Sequence, residues 1–379
     1  MNKTIPKRLL CIVNSMEVGG AETFLIKNYR ALDRTKYQMD FYCMSSQKGY
    51  YEKEIILLGG RIYHSIPKSR NILKAFLALK NVVKNEKYFY VMRVSQHSLA
   101  TIDLLAAKFG GARVLVQRSS NADSSTIINR ILHKMFKWLP IMIPTLKIAP
   151  STEAAEYTFG RNSIRNGKAT IVKNAIAVDK FLFNSVKRDK MRQEMGIEGK
   201  FVIGHVGRFS NQKNHEFLID IFGQIVKKHN GSVLILVGNG ELEGKIKNKV
   251  KNLGLIDNVI FTGIRSDIPD ILMAMDVFLF PSFFEGMPNT VIEAQATGLP
   301  CIISDSITKE TNICGLVKYI SLNTAPGQWA KIVLESYNLD RGQKRQKEYI
   351  NQKFKENGYD IKIEADNFMK LLFNANDSL

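Results

Sequence analysis

The sequence predicts an α/β protein of two domains, each a parallel sheet covered on both faces by helices. Three observations carry this. Short apolar runs alternate with segments of helical spacing along most of the chain, the pattern of strands and crossover helices. The alternation lapses over Lys180–Lys200, which is polar, charged and weakly periodic, and restarts at Phe201; the lapse reads as a linker. A length of 379 residues favours two domains over one. The expected division is a first domain over 1–172, a linker over 173–200 and a second domain over 201–357. A last amphipathic helix within 358–379 is expected to pack back on the first domain.

In the first half, Leu9–Val13 reads as a strand, Ala21–Leu32 as a helix and Tyr37–Met44 as a strand. Helical spacing over Ile72–Val83 precedes a strand at Tyr88–Val94. Ile102–Phe109 is a helix, Arg113–Gln117 a strand, Ile127–Ile143 a long apolar-rich helix and Ile148–Pro150 a strand end. In the second half, strands are expected at Phe201–Val206, Val233–Val237, Val259–Thr262, Val277–Phe280 and Pro300–Ile303. Between them Glu216–Lys227, Leu242–Leu253, Ile268–Met275 and Thr290–Ala296 have helical spacing, and Ile361–Phe373 closes the chain.

Composition narrows the class. Hydrophobic residues make up 45%, enough for a good core. The most apolar stretch, Trp138–Ala149, is broken by Pro140, Pro144 and Lys147, whereas a spanning helix needs about 20 apolar residues. Lys3, Lys7 and Arg8 imitate the start of a secretory signal, but the apolar run after them is too short. Cys11, Cys43, Cys301 and Cys314 form no C-x-x-C pair, so neither zinc nor a disulfide framework is suggested. These features point to a reducing cytoplasm.

The net charge of +19 suggests a polyanionic partner: nucleic acid, a membrane surface or phosphorylated substrates. The surplus is uneven, with eight basic residues against Glu86 alone over Arg61–Arg93, and seven against Asp123 alone over Lys108–Lys147. A solubilising surface explains this as well as a functional patch does. The stretch KMFKWLPIMI, Lys134–Ile143, mixes lysines with Trp, Phe, Met and Ile, as an interfacial element would. With the basic runs nearby it suggests docking to an anionic inner membrane leaflet; the plainer alternative is a buried helix.

Three segments carry chemistry. FPSFFEGMPNTVIEAQATG, Phe280–Gly298, places Glu285 in a loop after a buried strand, Pro288 where prolines start helices and Glu293 inside the helix. Eight residues of helix rise about 12 Å, too far for two carboxylates flanking one glycosidic bond, which stand about 5–9 Å apart. The spacing suits two grips on an elongated ligand, with the helix N-terminus between them as a phosphate seat. Taken alone, each glutamate also reads as a solvated surface acid. GRFSNQKN, Gly207–Asn214, follows a strand and precedes a helix, and Arg208 and Lys213 could together neutralise a diphosphate. VGGAET, Val18–Thr23, puts Gly19 and Gly20 between the first strand and first helix, without the G-x-G-x-x-G spacing of a dinucleotide site; a plain turn is the alternative to a diphosphate cradle.

In order along the chain, GGAET, GRFSNQKN, LILVGNGELEG, FTGIRSDIPDIL and FEGMPNTVIEAQATGLP resemble the motifs of glycosyltransferase family 4, retaining and metal-independent enzymes of the bacterial capsule and exopolysaccharide type. KNAIAVDKF, Lys173–Phe181, is similar to the family's interdomain connector, with Ala175 and Ala177 departing from it. The resemblance is densest over Phe201–Cys301. It implies a GT-B fold: two Rossmann-like domains whose parallel sheets face across a cleft, the first binding acceptor and the second donor. It implies that Arg208 and Lys213 bind the donor diphosphate, Glu293 the ribose hydroxyls and Glu285 the donor sugar. Gly286, Met287, Pro288, Asn289 and Thr290 would bind phosphate or sugar, Gly263, Ile264 and Arg265 would border the base, and Gly19 and Gly20 would approach from the other domain. The donor would be a nucleotide-sugar, UDP-linked, and no cofactor is expected. No two aspartates stand in D-x-D spacing, so the leaving diphosphate would be met by Arg, Lys and a helix dipole.

In the first half, His97 follows a strand in VSQHS, at the end where such folds bind ligands; the resemblance would place it near donor sugar or acceptor. Arg118, Ser119 and Asn121 in QRSSNAD could line the acceptor site, while His205, inside a strand, reads as core. A lipid-linked saccharide acceptor at the inner face of the cell membrane fits the docking element. Three other readings stay open: a sugar-nucleotide epimerase of the same fold, a catalytically silent partner subunit, and a basic nucleic-acid or membrane-binding protein. The nucleic-acid case lacks a recognition motif, so no nucleic-acid partner is expected.

Overall fold

The computed structural model describes residues 5–67, 70–95, 97–120, 127–337 and 346–375, with no side-chain description for 127–129. The chain divides into two compact units, Met1–Ile176 with Gly358–Leu379, and Ala177–Asn357.

The first unit is built on seven strands: β1 (Lys7–Val13), β2 (Tyr37–Cys43), β3 (Ile62–His64), β4 (Tyr90–Val94), β5 (Val114–Arg118), β6 (Leu146–Ala149) and β7 (Thr170–Ile171). All neighbours pair parallel, in the order β3-β2-β1-β4-β5-β6-β7. Leu9, Leu10, Cys11 and Ile12 have no solvent exposure, because crossover helices cover both faces of a parallel sheet. Helices Ile72–Asn85 and Ile102–Phe109 pack on each other around a core of Leu79, Val83, Leu104 and Ala107. The last helix, Ile361–Asn374, lies on helix Gly20–Ala31, with Phe368 edge-on to Phe24.

The second unit holds β8 (Phe201–Val206), β9 (Ser232–Val237), β10 (Val259–Gly263), β11 (Val277–Phe280), β12 (Cys301–Ser304) and β13 (Val317–Ile320), parallel in the order β10-β9-β8-β11-β12-β13. Each sheet reverses its winding once, between β1 and β4 and between β8 and β11. Loops leave the carboxyl ends of the strands in opposite directions there, which opens a crevice for ligands.

Two expectations need correction. Residues 173–200 are not a linker. Ile176 bridges Asp360 within the first unit, and the second unit begins at Ala177 with the short helix Val178–Phe181, followed by helix Ser185–Glu194, whose cap is the Asn184 side chain on the Lys187 amide. This second helix has no apolar stripe because ion pairs hold it. Arg188 and Arg192 donate to the two carboxylate oxygens of buried Asp276 at 2.6 and 2.8 Å, and the Val202 amide donates to the same group at 2.8 Å. Helical periodicity cannot report that kind of attachment. Second, Ile127–Ile143 is two helices, Ile127–Met135 and Trp138–Met142. An unbroken helix would drive the Pro140 ring into the Phe136 carbonyl; the break puts Pro140 in a first turn instead, where proline is tolerated.

Asp276 yields a stability prediction. Burial opposes its charge, yet Arg188, the Val202 amide and Arg192 outweigh that and hold its carboxyl below the ordinary value. Asp276→Asn should cost about 3–5 kcal/mol, because it strands two cations against a buried amide. The depressed pKa means the contribution is present above the ordinary carboxyl range and lost as pH falls through the folded value. The gap in thermal unfolding between wild type and variant should therefore hold down to the ordinary carboxyl value of 3.8 and narrow only as pH falls below it; an equal gap at pH 3 and pH 7 would refute the assignment.

Candidate functional site

The site of the second unit assembles at its switch point. The loop after β8 and the loop after β11 are bound together by three hydrogen bonds. The Phe283 amide donates to the Gln212 carbonyl at 2.9 Å, Gln212 Nε2 to the Phe284 carbonyl at 2.9 Å, and Asn214 Nδ2 to the Pro281 carbonyl at 3.2 Å. Asn214 takes a left-handed conformation, φ 54°, which asparagine tolerates better than most residues. Between the loops Lys213 Nζ donates to Glu285 Oε1 at 2.7 Å, both side chains mostly buried, and Lys213 lies 4.7 Å from the centre of the Phe280 ring. Two residues 72 apart in sequence thus form one ion pair.

Behind this pair the strand ends are fitted closely. The Gly207 amide donates to the Val237 carbonyl and the Gly238 amide to the Gly263 carbonyl, at 3.0 and 2.9 Å. Gly238 sits at φ +129°, and a Cβ there would stand 2.3 Å from the Gly207 carbonyl. Only glycine permits this approach, which sets the loop after β8 against the loop after β9. His205 and His215 lie buried beneath it. Burial, then Lys213, pushes His215 down to about 4; burial, then His215, puts His205 well below its ordinary value. Both are neutral rings packed on Phe280 and Phe209, in line with the core reading of His205.

Helix Asn289–Ala296 starts at the same place. Its N-cap is Pro288, with no side-chain cap, so the first-turn amides and positive dipole face the crevice. Ser282 Oγ, Asn289 Oδ1 and Thr290 Oγ1 are buried there without a hydrogen-bond partner. A buried unpaired polar group costs about 1–3 kcal/mol, and a ligand rich in oxygens and hydroxyls would relieve all three. Gly286, Met287 and Pro288 are buried in the loop that leads to this turn. Glu293 is 8% exposed, so the solvated-acid alternative fails.

The other expected donor residues are less concentrated. Arg208 is exposed and pairs with Glu241 at 3.1 Å. Gly263, φ +68°, ends β10, Ile264 is exposed, and Arg265 is engaged by Asp267. Sequence reasoning missed the loop-binding roles of Gln212 and Asn214, the partner Glu241 and the oxygen of Ser282. The run GNG after β9 was the available signal for the glycine contact.

In the first unit, Gly19 caps helix Gly20–Ala31 with extended backbone and no side-chain cap, after β1. His97 follows β4 on the other side of that sheet's switch point. Burial, then Arg93, lowers the His97 pKa, which makes it a neutral ring at pH 7. Arg93 donates to Asn14 Oδ1 at 2.8 Å and lies 2.9 Å from Asp103. Glu22, another residue the sequence reading passed over, has its carboxyl raised by burial, partly opposed by its own amide and Arg93.

Arg118 is corrected. It is 2% exposed, donates to Asn174 at 2.6 Å and stacks 3.6 Å above the Phe24 ring; burial pushes its pKa down to about 9. Its place at the end of β5 aims the side chain inward, so it organises the first unit rather than lining an acceptor surface. Asn121 lies outside the described residues.

Among the described residues, no three His, Cys, Asp or Glu side chains group as metal ligands, and no helix is long and apolar enough to cross a membrane. All four cysteines are buried and unpaired.

The chain is similar to known proteins along nearly its whole length. The profile of glycosyl transferases group 1 matches residues 187–353. EpsF of Bacillus subtilis, named a glycosyltransferase, is 32% identical over 361 residues, covering 93% of both chains. An Escherichia coli enzyme named UDP-Gal:α-D-GlcNAc-diphosphoundecaprenol α-1,3-galactosyltransferase is 28% identical over 304 residues, 76% of each chain. Anabaena HepE, solved in complex with UDP-glucose, superposes with a TM-score of 0.78 over 98% of this chain and 100% of its own, at 18% identity. Two parallel α/β units with a phosphate-type helix start at a switch point define a GT-B glycosyltransferase fold. This chain belongs to the group 1 glycosyltransferases.

Proposed function

We propose that the enzyme transfers a sugar, with retention, from a UDP-sugar to a lipid-linked saccharide during assembly of a bacterial surface polysaccharide, acting at the inner face of the cell membrane. One observation carries the donor reading: the Lys213–Glu285 pair beside an uncapped helix start with three unpartnered buried oxygens. Lys213 Nζ has three donors; one engages Glu285, leaving two for phosphate oxygens, while the helix start supplies amides. Glu285 is then held beside the sugar attached to those phosphates, and Glu293 grips ribose hydroxyls deeper along the helix. UDP as the nucleotide is supported by the fold shared with HepE, and a lipid-linked acceptor by the name of the Escherichia coli relative.

Without D-x-D spacing in the sequence, charge on the leaving diphosphate is met by Lys213, Arg208 and the helix dipole, so the reaction is metal-independent. The leaving phosphate itself assists deprotonation of the acceptor hydroxyl, which lets departure and attack occur on one face of the sugar.

The test is a panel of UDP-sugars with bacterial lipid extract as acceptor, read by mass spectrometry with and without EDTA. Transfer to a lipid species that survives chelation is expected. Activity abolished by EDTA and restored by manganese or magnesium would overturn the metal-independent reading. Conversion of one UDP-sugar into an isomer with no acceptor consumed would make the protein an epimerase.

A further inference from the structure

Helix Ile72–Asn85 is apolar on two faces. Its inner face, Ala75, Leu79 and Val83, is buried. Ile72, in line with that face, is 68% exposed at the helix start, and the outer face carries Leu73 at 67% exposure, with Leu77 exposed one turn on. A helix facing only water places polar residues there. Phe109, at the end of the neighbouring helix, is 67% exposed, and its ring lies 6.3 Å from that of Phe76. The two helix ends are held in register by Gly110, where a Cβ would stand 2.7 Å from the Lys80 carbonyl and 2.8 Å from Val83. Scattered exposed apolar residues are ordinary; four large ones on one packed helix pair form a patch.

The charges around the patch have one sign. The helix carries Lys74, Lys80 and Lys84 and no acid, and Lys108 precedes Phe109. Asp103, the acid of the second helix, is buried beside Arg93, and Glu86 is engaged by Arg61 at 2.6 Å. The same helical layer continues past the turn Ser98–Thr101, which touches helices Ile127–Met135 and Trp138–Met142, where Met135, Trp138 and Met142 are exposed.

We propose that the outer face of helix Ile72–Asn85, with Phe109, is a docking surface for an anionic lipid bilayer. The proposal rests on the membrane-side reading above and assigns it a surface. A nucleic acid would satisfy the lysines and leave Ile72, Leu73, Leu77 and Phe109 in water. A bilayer satisfies both, with the apolar side chains at the acyl boundary and the lysines among anionic head groups.

The experiment is co-sedimentation of the full chain with phosphatidylcholine vesicles, with and without phosphatidylglycerol, across a salt series. Wild type is expected to bind only the anionic vesicles, less as salt rises. Lys74→Gln/Lys80→Gln/Lys84→Gln should lower partitioning about 100-fold, roughly fivefold per lysine. Leu73→Ser/Leu77→Ser/Phe109→Ser should lower it at least about tenfold even at low salt. Lys74, Lys84, Leu73, Leu77 and Phe109 are exposed and Lys80 partly so, so thermal unfolding of both variants should stay close to wild type. If both variants partition like wild type while Met135→Ser/Trp138→Ser/Met142→Ser abolishes binding, the membrane reading stands and this surface is wrong. If wild type binds neither vesicle, both are wrong. A wild-type dimer in vesicle-free solution that the apolar triple variant disperses would make the patch a contact between copies of the chain and overturn the proposal.

Discussion

Lys213→Ala is expected to lower kcat/KM by about 10² or more, the usual cost of removing one preorganised charge contact from a developing anion. The ion pair gives the variant two defects. It withdraws the cation proposed to meet the leaving diphosphate, and it leaves Glu285 with no partner at 2.7 Å. The second defect is separable: Lys213→Ala combined with Glu285→Gln should recover thermal stability without recovering turnover. Arg208→Ala should also lose about 10², for one reason only. Arg208 is exposed and its pair with Glu241 is exposed too, a contact worth little, so the guanidinium can leave it for a phosphate at small cost. Steady-state kinetics on all three proteins decides the matter. Wild-type rates in both single variants would remove these two cations from the reaction.

The two carboxylates should fail in different ways. Glu293→Gln should weaken UDP binding about 10- to 100-fold, the cost of a charge-assisted hydrogen bond to a neutral hydroxyl, with a smaller fall in kcat, since the ribose does not react. Glu285→Gln should depress kcat by about 10² while UDP binds within about threefold of wild type, because the contact proposed for it lies with the transferred sugar. Burial sharpens the contrast. Glu293 is buried, and its amide variant keeps the shape of the side chain and loses only charge. Calorimetry of UDP binding to both variants tells them apart. Weakened binding in Glu285→Gln with normal binding in Glu293→Gln would reverse the roles; unchanged binding and turnover in both would move the donor site elsewhere.

Some of the site was legible because it is local. A strand, a loop and a helix start follow one another within Phe280–Gly298, and strand periodicity with Pro288 is enough to place Glu285 before the helix and Glu293 inside it. The link from Lys213 to Glu285 was not legible from spacing. It exists because β8 and β11 become neighbours at the point where the sheet reverses, and strand order is a property of the whole sheet. Arg118 shows the converse error. Its position after a strand, in a polar run, resembles a loop cation, yet its side chain turns inward onto Phe24 and Asn174, partners distant in sequence.

By itself the sequence determined the α/β class, the two-part division and nearly every strand of the second unit, and it picked out the loop and helix start where Glu285 and Glu293 lie, since apolar periodicity and turn chemistry act over a few residues at a time. Only the tertiary structure decided which loops meet, that residues 177–200 belong to the second unit through Asp276, that Glu293 and Arg118 are buried, and that Leu73, Leu77 and Phe109 face outward. Burial and ion pairing over long separations follow from how the sheets wind, and no local pattern of residues encodes that winding.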